Sequence, residues 1–130
     1  MLKSRLYFLT LLLLAFVACK PSVTPEALYG KWKYINLESQ KDNPSTIEYK
    51  LKVQQPSIEF TKKDSLIMVW GGAVLAKGKF RIDGDKIMFN QDLEGGRKYE
   101  FPFFVSQLTD KQIVFETKGE EASKVTATKE

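Results

Sequence analysis

The sequence predicts an all-β chain: an antiparallel up-and-down (meander) β-barrel of eight strands, or nine, led by a short helical turn. Three observations predict it. Turn-forming clusters recur about every eight to twelve residues. Between them apolar side chains alternate with period two, the mark of antiparallel sheet with one buried and one wet face. No window beyond Gly30 carries a sustained helical period. Short connections favour pairing between sequence neighbours, and closure removes the exposed edges of such a meander. Eight strands enclose an interior that side chains just fill, or that holds one small ligand. A two-sheet sandwich is the rival, and it needs longer crossovers than these breaks allow.

Ahead of the barrel, Lys3 and Arg5 precede an apolar run from Leu6 to Val17, broken only by Thr10. That run is shorter than the about 20 residues of a spanning helix. With its basic start and the small residue that follows, it reads as a signal peptide over residues 1 to 18. The segment Phe16-Val17-Ala18-Cys19 resembles a bacterial lipobox, with Phe16 where leucine is usual. The resemblance implies that Cys19 becomes a lipid-bearing N-terminus, acylated with chains such as palmitate. Each buried methylene adds roughly 0.8 kcal/mol, so more than one chain anchors stably. Lys20 follows the cysteine. By resemblance to Gram-negative sorting rules, the absence of Asp there implies the outer membrane. The tract Lys20–Thr24 lacks an acidic run, which favours the periplasmic face over the cell surface. Residues 19 to 23 then form a tether, and 24 to 130 one domain.

Charge excludes one class of partner. Two of the 20 basic residues, Lys3 and Arg5, lie in the leader, and the rest nearly balance the 16 acidic ones. The alkaline isoelectric point of the whole chain is therefore no nucleic-acid footprint. Cys19 is the only cysteine, so no intrachain disulfide forms. A monomer held by its ladder and its apolar core is expected.

Along the domain, Thr24-Pro25-Glu26 supplies an N-cap hydroxyl, a first-turn proline and an acid, and Gly30 stops the helix after one turn. Breaks follow at Lys41–Pro44, Lys62–Asp64, Gly71-Gly72, Asp83–Asp85, Asp92–Gly96, Thr109–Lys111 and Lys118–Glu120. They delimit eight strands. Pro56 cannot donate to a ladder; if it marks a true turn, the segment from Thr46 to Thr61 splits and the strands number nine. Pro102 lies inside the strongest strand, where a bulge is expected. Leu66, Met68 and Trp70 share a face, as do Gly78, Phe80 and Ile82, opposite Lys77, Lys79 and Arg81. Ile87 is in phase with Phe89, Tyr99 with Phe101, Phe103 and Val105, and Ile113 with Phe115.

A helical turn followed by Leu28-Tyr29-Gly30-Lys31-Trp32, then a meander, resembles the lipocalin superfamily. The likeness is closest to the compact lipocalin-like lipoproteins of Gram-negative bacteria, with their "L-x-G-x-W" start and "L-T-x-x-x-I/L-V" tail. The tail is matched here by Leu108-Thr109-Asp110-Lys111-Gln112-Ile113-Val114. The resemblance covers about residues 24 to 127. It implies that Gly30 and Trp32 are structural: the glycine turns the chain sharply, and the indole seals one end of the barrel. In lipocalins a late arginine often packs over that tryptophan. No arginine follows Arg97, so Lys124 or Lys129 takes the place, or the contact is absent.

The chemistry points away from catalysis. There is no histidine, which removes the commonest general base and every Ser-His triad. Cys19 is consumed by the anchor. Asp83, Asp85, Asn90, Asp92 and Glu94 lack EF-hand spacing and read as turn residues. Adjacent Glu120 and Glu121 point to opposite faces of any strand they enter. Gly71-Gly72 and Gly95-Gly96 read as hairpin turns. The expectation is thus no enzyme, no cofactor and no metal. The basic stripes Lys31/Lys33 and Lys77/Lys79/Arg81 read as solvated faces, with anionic headgroups as the other option.

What remains is the interior, where Tyr34, Met68, Trp70, Phe80, Phe89, Tyr99, Phe101, Phe103 and Phe115 converge if the faces are read correctly. These rings either fill it as a solid core or line an apolar cup opposite Trp32. Gly78 on the inward face leaves room and favours the cup. The first reading of function is accordingly a lipid-anchored envelope protein binding a small apolar or amphipathic molecule. The alternative is a solid-core protein acting through its outer surface as an inhibitor or assembly partner.

Overall fold

The structure, a computed structural model, describes residues 22–119 and 122–130. The leader over 1 to 18, the acylation site Cys19 and the pair Glu120-Glu121 lie outside them. Eight strands close into one antiparallel barrel in chain order, each paired with its sequence neighbours. They are β1 (Gly30–Ser39), β2 (Ser57–Phe60), β3 (Ser65–Trp70), β4 (Ala73–Asp83), β5 (Lys86–Asp92), β6 (Lys98–Leu108), β7 (Gln112–Thr117) and β8 (Ser123–Lys129). Pairing of β1 with both β2 and β8 closes the ring. Trp32 thereby faces Ile58 on one side and Lys129 on the other. This is the eight-stranded meander that the alternation predicts, and it fits a lipocalin-like fold.

A helical turn, α1 (Pro25–Leu28), precedes β1. Thr24 caps it by accepting a hydrogen bond from the Ala27 N–H, and Pro25 stands where an amide would be unsatisfied anyway. The turn brings Leu28 beneath the barrel. The Trp32 Nε1–H donates to the Leu28 carbonyl at 2.8 Å, and both residues are wholly buried. Gly30, between them, has φ +127°, a conformation only glycine adopts without strain. This end is the floor.

One expectation is corrected. The segment after Asp42 is helical, not extended: α2 (Pro44–Tyr49) runs into a π-helical turn over Lys50–Gln54. The cause is the same cap-and-proline device that opens α1. The Asn43 carboxamide oxygen accepts from the Thr46 N–H at 2.9 Å, and Pro44 occupies the first turn. Ile47 and Leu51, one turn apart, pack on the core. Gln55 at φ 45° reverses the chain, so Pro56 marks the turn into a short β2. No ninth strand is present among the described residues.

Pro102 is the second correction. It stands opposite Met88 in unbroken register. The ladder with β7 begins only at Phe104, so the missing amide faces no partner strand. The bulge lies instead between Val105 and Gln107. Two further bulges fall between Tyr34 and Asn36 in β1 and opposite the Met68–Val69 step in β4. Each turns one residue out and resets the alternation. Ile35 and Leu75 are exposed, while Leu37 returns to the interior.

Candidate ligand-binding site

The barrel fills from the floor upward. Trp32, Ile58, Phe60, Leu66, Ile87, Phe89 and Ile113 are essentially inaccessible. Phe60 meets Phe80 edge-to-face with centroids 5.2 Å apart, and Phe89 stacks on Phe103 at 5.9 Å. The lower half is a solid core.

The upper half is not. A cavity of about 330 Å³ opens at the end opposite Trp32. Tyr34, Leu37, Met68, Trp70, Phe103, Phe115 and Val125 supply its apolar lining. Tyr34 presents an edge-to-face contact to Trp70 at 6.0 Å and to Phe115 at 6.3 Å. Burial raises the Tyr34 phenol far above its ordinary value of 10.0, so it stays neutral. The Trp70 Nε1–H is buried and has no hydrogen-bond partner among the described residues, a cost of roughly 1–3 kcal/mol for an orphaned donor.

The mouth is polar. Ser39, Thr117 and Ser123 line it with hydroxyls, and Lys41, Asp42 and Lys50 with charges. Lys50 Nζ lies 2.6 Å from Asp42 Oδ2, and neither side chain is fully in water. The π-helical turn that carries Lys50 is tied at its far end, where the Gly71 N–H donates to the Gln54 carbonyl at 2.7 Å. The segment from Asp42 to Gln54 thus forms a fastened roof over one side of the opening.

Of the nine interior residues expected from sequence, Tyr34, Met68, Trp70, Phe103 and Phe115 come together around the cavity. Phe80 and Phe89 belong to the core below it, and Phe101 packs between Phe89 and Tyr99. Tyr99 is 60% exposed. It keeps the inward phase of β6, but the β6–β7 ladder starts five residues later at Phe104, so at Tyr99 the wall has only one side. Gly78 does not leave room for a ligand. A Cβ there would lie 2.0 Å from the Asn90 carbonyl oxygen; the glycine permits close approach of β4 to β5.

Leu37, Ser39, Lys41, Asp42, Lys50, Thr117, Ser123 and Val125 are lining residues the sequence reading missed. Asn43-Pro44 was the available signal for the roof. The basic stripes point outward as expected. Lys79 Nζ donates to the Lys63 carbonyl, and Arg81 pairs with Glu100 at 3.0 Å.

Neither protein-family models nor curated proteins give a match to this chain.

Proposed function

We propose that the protein is a lipid-anchored, non-enzymatic carrier of a small apolar or amphipathic molecule in the envelope of a Gram-negative bacterium. The observation that carries this reading is the half-filled barrel: a packed floor, an apolar cavity of about 330 Å³ and a polar mouth. Sites for small molecules have this character, concave and apolar with a few placed polar groups. The lipocalin-like fold supports the same reading. Acylation at Cys19 would attach the floor end to the membrane, since the chain enters through α1 beneath Trp32. The mouth then faces away from the anchoring bilayer, into the periplasm for an outer-membrane protein.

Burying about ten methylenes at ~0.8 kcal/mol each gives a gross gain of about 8 kcal/mol. That equals a micromolar Kd before the association entropy is charged, so micromolar or weaker binding is expected. The test is a titration of the purified protein with 1-decanol, followed by tryptophan fluorescence, since Trp70 borders the cavity, and by native mass spectrometry. Saturable quenching with one bound molecule supports the carrier. No spectral change and no bound mass up to the solubility limit would overturn it. Anchoring is tested separately, by radiolabelled palmitate incorporation that disappears in Cys19→Ala.

The second reading, action through the outer surface, draws on one observation. Tyr49, Val53, Val74, Leu75 and Tyr99 are more than half exposed, and all belong to segments at the mouth end. Crosslinking in intact cells that recovers a partner through these positions would favour it.

A further inference from the structure

We infer that the ligand of this cavity carries an uncharged oxygen acceptor, such as the carbonyl of a ketone or an ester, and that the Tyr34 hydroxyl donates a hydrogen bond to it. The inference rests on the carrier reading and adds the polar group that its ligand must present.

Tyr34 is the next inward residue after Trp32 in β1, and it lines the cavity. Trp70 and Phe115 hold its ring edge-to-face. Among the described residues its hydroxyl has no hydrogen-bond partner. Nor is that hydroxyl walled off, since Trp70 Nε1 is the one fully occluded side-chain polar atom without a partner among the described residues. A side chain that is 3% exposed and lines the cavity keeps that remnant toward the cavity. The polar groups of the rim differ in having partners. Lys50 pairs with Asp42, Thr117 bonds to Ser123 at 3.1 Å, and the Ser39 hydroxyl accepts from the Lys41 N–H. The phenol is thus the polar group of the lining that stands open to a ligand.

A phenol donates strongly and accepts weakly, because its oxygen lone pair is drawn into the ring, so an accepting oxygen suits it best. The burial that keeps the phenol neutral also makes an ionised group beside it costly, and the acceptor is therefore uncharged. A wholly apolar ligand would expel water from the hydroxyl and leave its proton unpaired. A carbonyl oxygen replaces the bond that water gave. At roughly 30 Å³ per water-sized unit, the cavity of about 330 Å³ takes about eleven non-hydrogen atoms, the size of benzylacetone.

The experiment compares benzylacetone with butylbenzene, which has a methylene in place of the carbonyl, by calorimetric titration of the wild type and of Tyr34→Phe. The ratio of the two changes on mutation cancels the ligands' different affinities for water. Tyr34→Phe should weaken benzylacetone about threefold to tenfold, as one neutral hydrogen bond would give, and leave butylbenzene unchanged or tighter. Infrared spectroscopy supplies a second readout, because a hydrogen bond lowers the carbonyl stretch of the bound ketone. That band should lie lower in the wild type than in Tyr34→Phe. An equal change for both ligands, or the same band in both proteins, overturns the inference while the carrier stands. A wild type that takes butylbenzene and refuses benzylacetone does the same. If Tyr34→Phe binds neither ligand, the wild-type band decides alone: lowered from its position in hexane it supports the inference, and unshifted it overturns it. If the wild type binds neither, the carrier reading falls and the inference with it.

Discussion

The Lys129 ammonium lies 5.2 Å from the centre of the Trp32 ring. The last strand thereby completes the floor that the first strand begins. Lys129 stands directly opposite Trp32 in the β1–β8 ladder, and its Cε would sit 2.9 Å from a Cβ on Gly30. Gly30, Trp32 and Lys129 are one structural unit. Of the two lysines the sequence offered for a contact over Trp32, Lys129 makes it.

Gly30→Ala should therefore destabilise the barrel by two separable routes. The positive φ costs about 1–3 kcal/mol for a residue with a side chain, and the crowding against Lys129 adds to it. In urea denaturation, Lys129→Ala should restore only the steric part. Full recovery in the double mutant would show that the backbone conformation is not strained.

The two tryptophans should respond oppositely to the same change. Trp32→Phe breaks the bond to the Leu28 carbonyl and should cost about 1–2 kcal/mol. Trp70→Phe removes an orphaned donor, so stability should stay within about 1 kcal/mol of the wild type or rise. Thermal melts of the pair decide it.

Gly78→Ala should be among the most damaging single-methyl additions in the chain. Its Cβ would meet the backbone of Asn90 and Gln91 rather than a movable side chain, forcing β4 from β5. A loss of at least about 3 kcal/mol, or failure to fold, is expected. Chemical denaturation and amide exchange across Phe80–Phe89 would report it; near-wild-type stability would mean the cavity has slack reaching this strand pair.

Alkaline pH should weaken the fold through Tyr34. Its folded-state pKa is raised by burial, so stability is fully present below the unfolded value of about 10. Above that value it falls by up to about 1.4 kcal/mol per pH unit, because only the unfolded chain releases the proton. Comparing Tyr34→Phe with wild type between pH 9 and 11 isolates this from lysine titration. An equal pH dependence in the two proteins would rule the burial effect out.

Much of this was legible in order along the chain. Alternation of period two named the inward faces of β3 to β7, and the breaks at Gly71-Gly72, Asp83–Asp85 and Asp92–Gly96 fell at the hairpins. The helix after Asp42 was written in the sequence too, as Asn43-Pro44, but eleven residues are too few for periodicity to outvote the β-branched and aromatic residues around them. Leu37 escaped because the bulge at Ile35 shifts the phase by one, and a bulge arises from how two strands meet.

Outside the helical segment from Pro44 to Gln54, the sequence by itself determined which residues extend, where the chain turns and which side chains are apolar, since these depend on neighbours within a few positions. Tertiary structure alone decided where the barrel stops being solid. That depends on how far each strand outruns its partner, which is why Phe103 lines a cavity while Tyr99, in the same phase, stands in solvent. It also brought Asp42 to Lys50 and Lys129 to Trp32, because such contacts come from ring closure and a folded-over roof, to which local spacing is blind.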